Sequence, residues 1–175
     1  MDQFILKRNE INKSQFYQII LIDDSIYDDF SQKLSNNDID CRLSVNVDSK
    51  SLYIVAAPKK LGSILKNYKE YELYFFPNDI FIAFLKCLLA NKYLLENIEF
   101  LGENYFESSL SEELNSHFHE VDFEGLFNVI NNNNLKINKF KIYHEETSFT
   151  FYRSGMIYSN ETIECISKLV AFYLR

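Results

Sequence analysis

Two small groups of side chains have the types and spacing of metal ligands. Asp23 and Asp24 follow an apolar run, and carboxylate oxygens are ligands that divalent cations prefer. His117 and His119 flank Phe118. In an extended segment their imidazoles would share one face and could bind Zn²⁺, whereas chelating pairs on a helix are three or four residues apart. A metal-dependent enzyme is therefore the least favoured of three functions.

The motifs that mark common catalytic sites are absent from the sequence. It contains no GxSxG, GxxxxGK[ST], GxGxxG, HExxH or CxxC, and its 4 glycines leave little material for a phosphate-binding loop. The three cysteines are odd in number and far apart, which predicts reduced thiols in a cytoplasmic protein. We expect a non-enzymatic protein without a cofactor.

The strongest asymmetry is in the distribution of charge. The formal net charge is −7, yet no Lys or Arg lies between Lys92 and Lys136, and the excess of acidic residues falls within 96–124. Aromatic residues are interleaved there. Carboxylates steer a basic protein to a surface, and aromatic side chains anchor it. The residues predicted to bind a protein partner with a basic surface are Glu103, Glu107, Glu112, Glu113, Glu120, Asp122, Glu124, Tyr105 and Phe106.

This acidic segment also has a simpler interpretation, as two solvated helical faces with their aromatic residues turned inward. The functional interpretation is a protein-interaction module. Immunity proteins, antitoxins and small accessory subunits of bacterial or phage defence complexes share this size and charge, so we expect a function of that class by analogy.

A nucleic-acid-associated accessory domain is the alternative function. The net negative charge opposes binding by bulk electrostatics, but a locally basic strip is compatible with it. Lysines beside tyrosines suit phosphate contacts and base stacking. The residues of this strip are Lys139, Lys141, Arg153, Tyr143 and Tyr152. We expect no membrane association, because the most apolar run, 80–90, is about half the length of a membrane span.

The helices and strands that the sequence predicts around these residues indicate an α+β fold, with a mostly antiparallel sheet covered by helices. Strands are predicted at 16–22 and 71–76, with a hairpin over 41–47 and 52–57. Ser25 is predicted to cap the first helix, which is followed by helices over 59–69 and about 79–95. The last of these is apolar nearly all round, which predicts a buried central helix.

The second half of the chain is predicted to hold two amphipathic helices and a C-terminal unit. Ser109 and Glu112 have the spacing of a capping box, and a second helix follows over 123–130. Strands over 139–145, 148–152 and 156–159 then precede a helix from Asn160, a strand–strand–strand–helix unit. We expect one domain over 1–175. The alternative is two packed lobes, 1–100 and 101–175.

Overall fold

An antiparallel sheet and the helices packed on it make up the residues that a computed structural model describes, which are 13–47, 50–56, 58–67, 71–103 and 106–173. The strands are β1 (Gln15–Asp23), β2 (Cys41–Val47), β3 (Lys50–Ala56), β4 (Tyr71–Leu73), β5 (Leu94–Phe100), β6 (Ile137–His144), β7 (Thr147–Tyr152) and β8 (Met156–Ser159). The helices are α1 (Tyr27–Asn36), α2 (Pro58–Leu65), α3 (Asn78–Ala90), α4 (Ser108–His119), α5 (Phe123–Asn132) and α6 (Ile163–Tyr173). The predicted α+β class is confirmed.

Every strand pairing in the sheet is antiparallel. The order is β2-β3-β1-β8-β7-β6-β5, and β4 pairs with the C-terminal half of β1 beside β8. The predicted hairpin is β2 and β3, and the predicted C-terminal unit is β6, β7, β8 and α6. Strand β5 was missed by the sequence analysis and forms an edge of the sheet next to β6.

The two halves of the sheet are covered differently. On β1, Tyr17 and Ile19 pack into a core shared with α3, α5 and α6, whereas Ile20 and Ile22 pack on the opposite face against α1 and α2. Burial on both faces accounts for the continuous apolar run of β1. Strands β6 to β8 place Phe140 and Phe151 in the first core, while their other face is covered by no helix of the described residues and carries half-buried side chains and the exposed Tyr143 and Tyr158.

The central helix is α3, and it is shorter than predicted. Its Phe84 is buried, with ring centroids 4.9 Å from Phe151 and 5.8 Å from Phe76. The helix ends at Ala90 because Lys92 adopts φ 67°. This left-handed residue permits the pair of closing bonds, Lys92 N to Leu89 O and Tyr93 N to Leu88 O, that terminate many helices. Residues 94 and 95, predicted as helical, belong to β5.

Two predicted helix caps are not formed, and α6 begins at Ile163 rather than at the predicted Asn160. Ser25 does not cap α1; its backbone N–H instead donates to the Asp23 carboxylate, and a 3₁₀ turn over Asp24–Ile26 precedes the helix. Asp is as good a cap as Ser and stands earlier in the chain. Ser109 does not cap α4 either, since that helix begins at Ser108 after Glu107, whose side chain makes no capping bond.

The turn at Gly155 joins distant parts of the sheet. Gly155 adopts φ 77° and its carbonyl accepts a hydrogen bond of 2.9 Å from Ile19 N, while Ile19 O accepts one of 3.1 Å from Tyr74 N. The buried Gln18 side chain donates to Ser154 O over 3.1 Å. These bonds tie the β7–β8 turn to β1 and to the segment after β4.

The boundary between the two alternative lobes falls within the sheet. Pairing of β1 with β8 and of β5 with β6 links strands from 1–100 to strands from 101–175. The domain division stays a prediction. In the described part of the chain, no helix is long and apolar enough to cross a membrane.

Candidate functional site

The acidic segment 96–124 is divided between the sheet and the helices. Glu96 and Glu99 lie on β5, where Glu96 pairs with Lys141 over 2.7 Å and Glu99 pairs with Lys139 over 2.6 Å. Glu99 faces Lys139 directly in the antiparallel register. Hydrogen bonds from the Lys139 and Asn138 side chains hold the pKa of the Glu99 carboxyl below its usual value. The two glutamates and the two lysines therefore neutralise one another.

The remaining acidic residues follow β5 in the chain and lie at the surface. Helices α4 and α5 pack against each other and carry most of them. We call the following exposed residues the acidic surface: Glu103, Glu107, Glu112, Glu113, Glu120 and Glu124. Within the described ranges, none of them lies within ion-pair distance of a Lys or Arg. The acidic surface thus keeps its negative charge.

Asp122 has a structural role between α4 and α5. Its Oδ1 accepts a hydrogen bond of 3.0 Å from Gly125 N, which caps α5, and its Oδ2 lies 2.8 Å from His117 Nδ1. Both contacts lower the pKa of the Asp122 carboxyl, the Gly125 hydrogen bond most. A Cβ on Gly125 would lie 2.2 Å from Asp122 Oδ2, so a side chain there would displace the Asp122 carboxylate from this arrangement. Asp122 is thus less available to a partner than Glu112 or Glu113.

The Asp122 cap predicts a pH dependence of stability. A carboxyl whose folded-state pKa is lowered stabilises the fold above its ordinary pKa of 3.8, and this contribution is lost as the pH falls through the folded-state value. We expect Asp122→Ala to lower the melting temperature at neutral pH, and the difference from the wild type to narrow as the pH falls into acid. Thermal unfolding followed by circular dichroism across this pH range measures it.

Asp122→Asn is the control for this experiment, because asparagine caps helices about as well as aspartate but carries no charge. It should retain most of the stability at neutral pH. If the melting temperature of the wild type exceeded that of Asp122→Ala by the same amount in acid as at neutral pH, the assignment of the cap to the carboxylate would be contradicted.

The described aromatic residues of the acidic segment are buried or half-buried. Phe106 is half-buried, with its ring centroid 6.0 Å from that of Phe100, and Phe118 is also half-buried. Tyr105, predicted to bind a partner, lies outside the described residues. Between β5 and α4, a cavity of about 180 Å³ opens to the surface. It is lined by Phe100, Phe106, Leu114 and Phe118 and, among polar residues, by Glu103, Ser111 and Asn115.

Four of the five predicted nucleic-acid-binding residues lie on the sheet face opposite the first core. Lys139, Lys141 and Tyr143 alternate along β6, and Tyr152 faces Lys139 from β7. The Lys139 ammonium lies 6.0 Å from the centre of the Tyr152 ring. Arg153, in the following turn, lies over the ring of Phe75 and donates from Nε to Phe76 O over 3.2 Å.

Three of the four side chains considered as metal ligands, Asp23, Asp24 and His117, make hydrogen bonds or ion pairs within the fold. Asp23 caps the 3₁₀ turn, and Asp24 accepts a hydrogen bond from the Ser51 hydroxyl. His117 and His119 lie on helix α4, where two residues at this spacing do not face each other and cannot bind the same metal ion. In the described residues no three His, Cys, Asp or Glu side chains are grouped so that they could hold a metal ion.

A second cavity is lined by residues that no pattern in the sequence indicated. It has a volume of about 760 Å³ and lies between the end of α1, the start of β2 and the residues before α6. Arg42 pairs there with Glu164, and burial raises the pKa of the half-buried Cys41 thiol. A protonated thiol is a weak nucleophile. Segments far apart in the chain build this cavity, so no local motif reveals it.

Comparisons with known proteins found no relative of this chain. No protein-family model matches it, and the searches of curated proteins and of solved structures gave no match. Inference about function therefore rests on the chain's own residues.

Proposed function

We propose that this protein is a non-enzymatic interaction module whose acidic surface binds a protein partner with a basic surface. The observation that carries the proposal is the contrast between two sets of carboxylates. Glu96 and Glu99 are neutralised by lysines on the sheet, whereas the carboxylates of α4, α5 and the residues before them have no such partner among the described residues.

Electrostatics support this assignment. Glu112 and Glu113 are adjacent and exposed on α4, and Glu120 follows at the end of that helix. Concentrated charge of one sign raises the rate at which an oppositely charged partner associates, and it suppresses binding of acidic competitors. The finer proposal is a partner that the module inhibits or assembles with, as immunity proteins, antitoxins and defence-complex subunits do.

Affinity capture with defined variants tests the proposal. The wild type is compared with the double variant Glu112→Lys/Glu113→Lys, which changes exposed residues outside the cores. We expect the partner captured by the wild type to be lost from the double variant. Equal capture by both proteins would overturn the proposal.

A second candidate function is binding of single-stranded nucleic acid on the uncovered sheet face. Exposed aromatic rings favour it: Phe16 and Tyr158 pack with centroids 4.7 Å apart on neighbouring strands, and Tyr143 lies exposed on the same face. Such rings can stack on bases. The pairing of Lys139 and Lys141 with glutamates opposes this function, because phosphate contacts would require those ion pairs to break.

Fluorescence anisotropy with a labelled oligothymidine at low salt tests this second function. If the sheet face binds nucleic acid, the affinity falls as salt is added and is weakened by Arg153→Ala or Lys139→Ala. The absence of binding at low salt would eliminate it.

A further inference from the structure

The cavity between β5 and α4 has the size of a site for one side chain. Its volume of about 180 Å³ is below the roughly 300–1,000 Å³ that sites for drug-sized molecules occupy. Its lining is mixed: Phe100, Phe106, Leu114 and Phe118 supply an apolar part, polar side chains supply the larger part, and the cavity opens among the carboxylates of the acidic surface. An occupant must therefore combine an apolar stem with a polar or charged head.

Glu103 determines the sign of the charge that the cavity accepts. Its exposed side chain contributes to the lining and forms no ion pair with a described Lys or Arg, although its charge helps to raise the pKa of the nearby Lys139 ammonium. Ser111 and Asn115 on α4 and Asn97 on β5 add oxygen atoms that can accept hydrogen bonds. The polar lining contains no cationic side chain of the described residues, so a cation fits there better than an anion.

We propose that this cavity receives an arginine side chain from the basic partner. The aliphatic stem would pack against the phenylalanine rings, and the guanidinium would bind Glu103 and the neighbouring amide and hydroxyl oxygens. Arginine suits such a place because its planar cation packs on aromatic faces and is weakly hydrated. A central anchor in a pocket, surrounded by steering charges, is the usual arrangement of a protein interface.

The inference rests on the proposed function, and a cavity-filling variant separates the two. Ser111→Leu places a larger apolar side chain in the cavity lining and leaves every carboxylate unchanged. Ser109→Leu is the matched control, since Ser109 is exposed on the same helix and does not line the cavity. Glu103→Gln removes the charge at the cavity without changing its shape.

The first experiment titrates n-butylguanidinium, which imitates the arginine side chain, into ¹⁵N-labelled protein. We expect saturable NMR shift changes at Ile98, Phe100 and Leu114 in the wild type and in Ser109→Leu. Glu103→Gln should weaken binding about fivefold, in line with a solvent-exposed ion pair, and Ser111→Leu should abolish it. Absent shifts, or shifts that persist in Ser111→Leu or that neutral n-butanol reproduces, would overturn the proposal.

The second experiment uses the captured partner. We expect Ser111→Leu to weaken its binding at least tenfold relative to Ser109→Leu, which corresponds to about 1.4 kcal/mol. If the Glu112→Lys/Glu113→Lys variant loses the partner while Ser111→Leu keeps it at full affinity, the arginine site is overturned and the acidic surface stands. If all of these variants keep the partner, the proposed function itself fails.

Discussion

Replacing Gly155 by alanine should destabilise the protein severely. An added Cβ would lie 2.2 Å from the carbonyl oxygen of Tyr74, and the backbone at φ 77° is one that alanine rarely adopts. The clash cannot be relieved by rotating a side chain, because the contacted atom is backbone. We expect a loss of about 3 kcal/mol or more of unfolding free energy, measured by urea denaturation.

Gly62→Ala is the matched control for this substitution. Gly62 lies inside helix α2, and nothing lies within 4 Å of the Cβ it would gain. The same chemical change should there stabilise the protein by up to about 1 kcal/mol, since alanine has the higher helix propensity. A Gly155→Ala variant as stable as the wild type would contradict the close approach of the β7–β8 turn to Tyr74.

Reversing the charges of Glu112 and Glu113 in the Glu112→Lys/Glu113→Lys variant should reduce its affinity for a basic partner about 100-fold, or by about 2.8 kcal/mol. Attraction at two positions becomes repulsion, so most of the loss should appear in the association rate. Because screening weakens such interactions, the difference between variant and wild type should shrink as salt is added. Surface plasmon resonance with the captured partner at two salt concentrations measures both effects.

The matched control is Glu145→Lys/Glu146→Lys, in the turn between β6 and β7. Both residues are exposed and adjacent, like Glu112 and Glu113, and their reversal changes the net charge equally. We expect this variant to bind the partner nearly as well as the wild type. A comparable loss in both variants would show that net charge, and not the acidic surface, determines binding.

The strand predicted best from the sequence is β1, because its continuous apolar run reflects burial on both of its faces. The apolar alternation of β2 also predicted a strand, although Leu43 is exposed and Cys41 is only half-buried there. The helix starts at Ser25 and Ser109 were predicted less well. Several residues near each start can cap a helix, and the backbone selects one of them only when the chain folds.

The division of the acidic segment could not be predicted without β5. Its residues 94 and 95 continue the apolar pattern of α3, and the left-handed turn at Lys92 that separates helix from strand falls on a residue with no special preference for it. Once β5 is paired with β6, the opposition of Glu99 to Lys139 follows from the register. The sequence therefore indicated the acidic segment but not which of its carboxylates remain unpaired.

Mapping the partner's footprint is the most direct test of the central claim. Titration of the captured partner into ¹⁵N-labelled protein should shift the amides of α4 and of the first turn of α5, including Glu112, Glu113 and Glu124, while those of Lys139 and Tyr152 stay unchanged. A footprint confined to β6 and β7, with the α4 amides unmoved, would contradict the assignment of the acidic surface as the binding site.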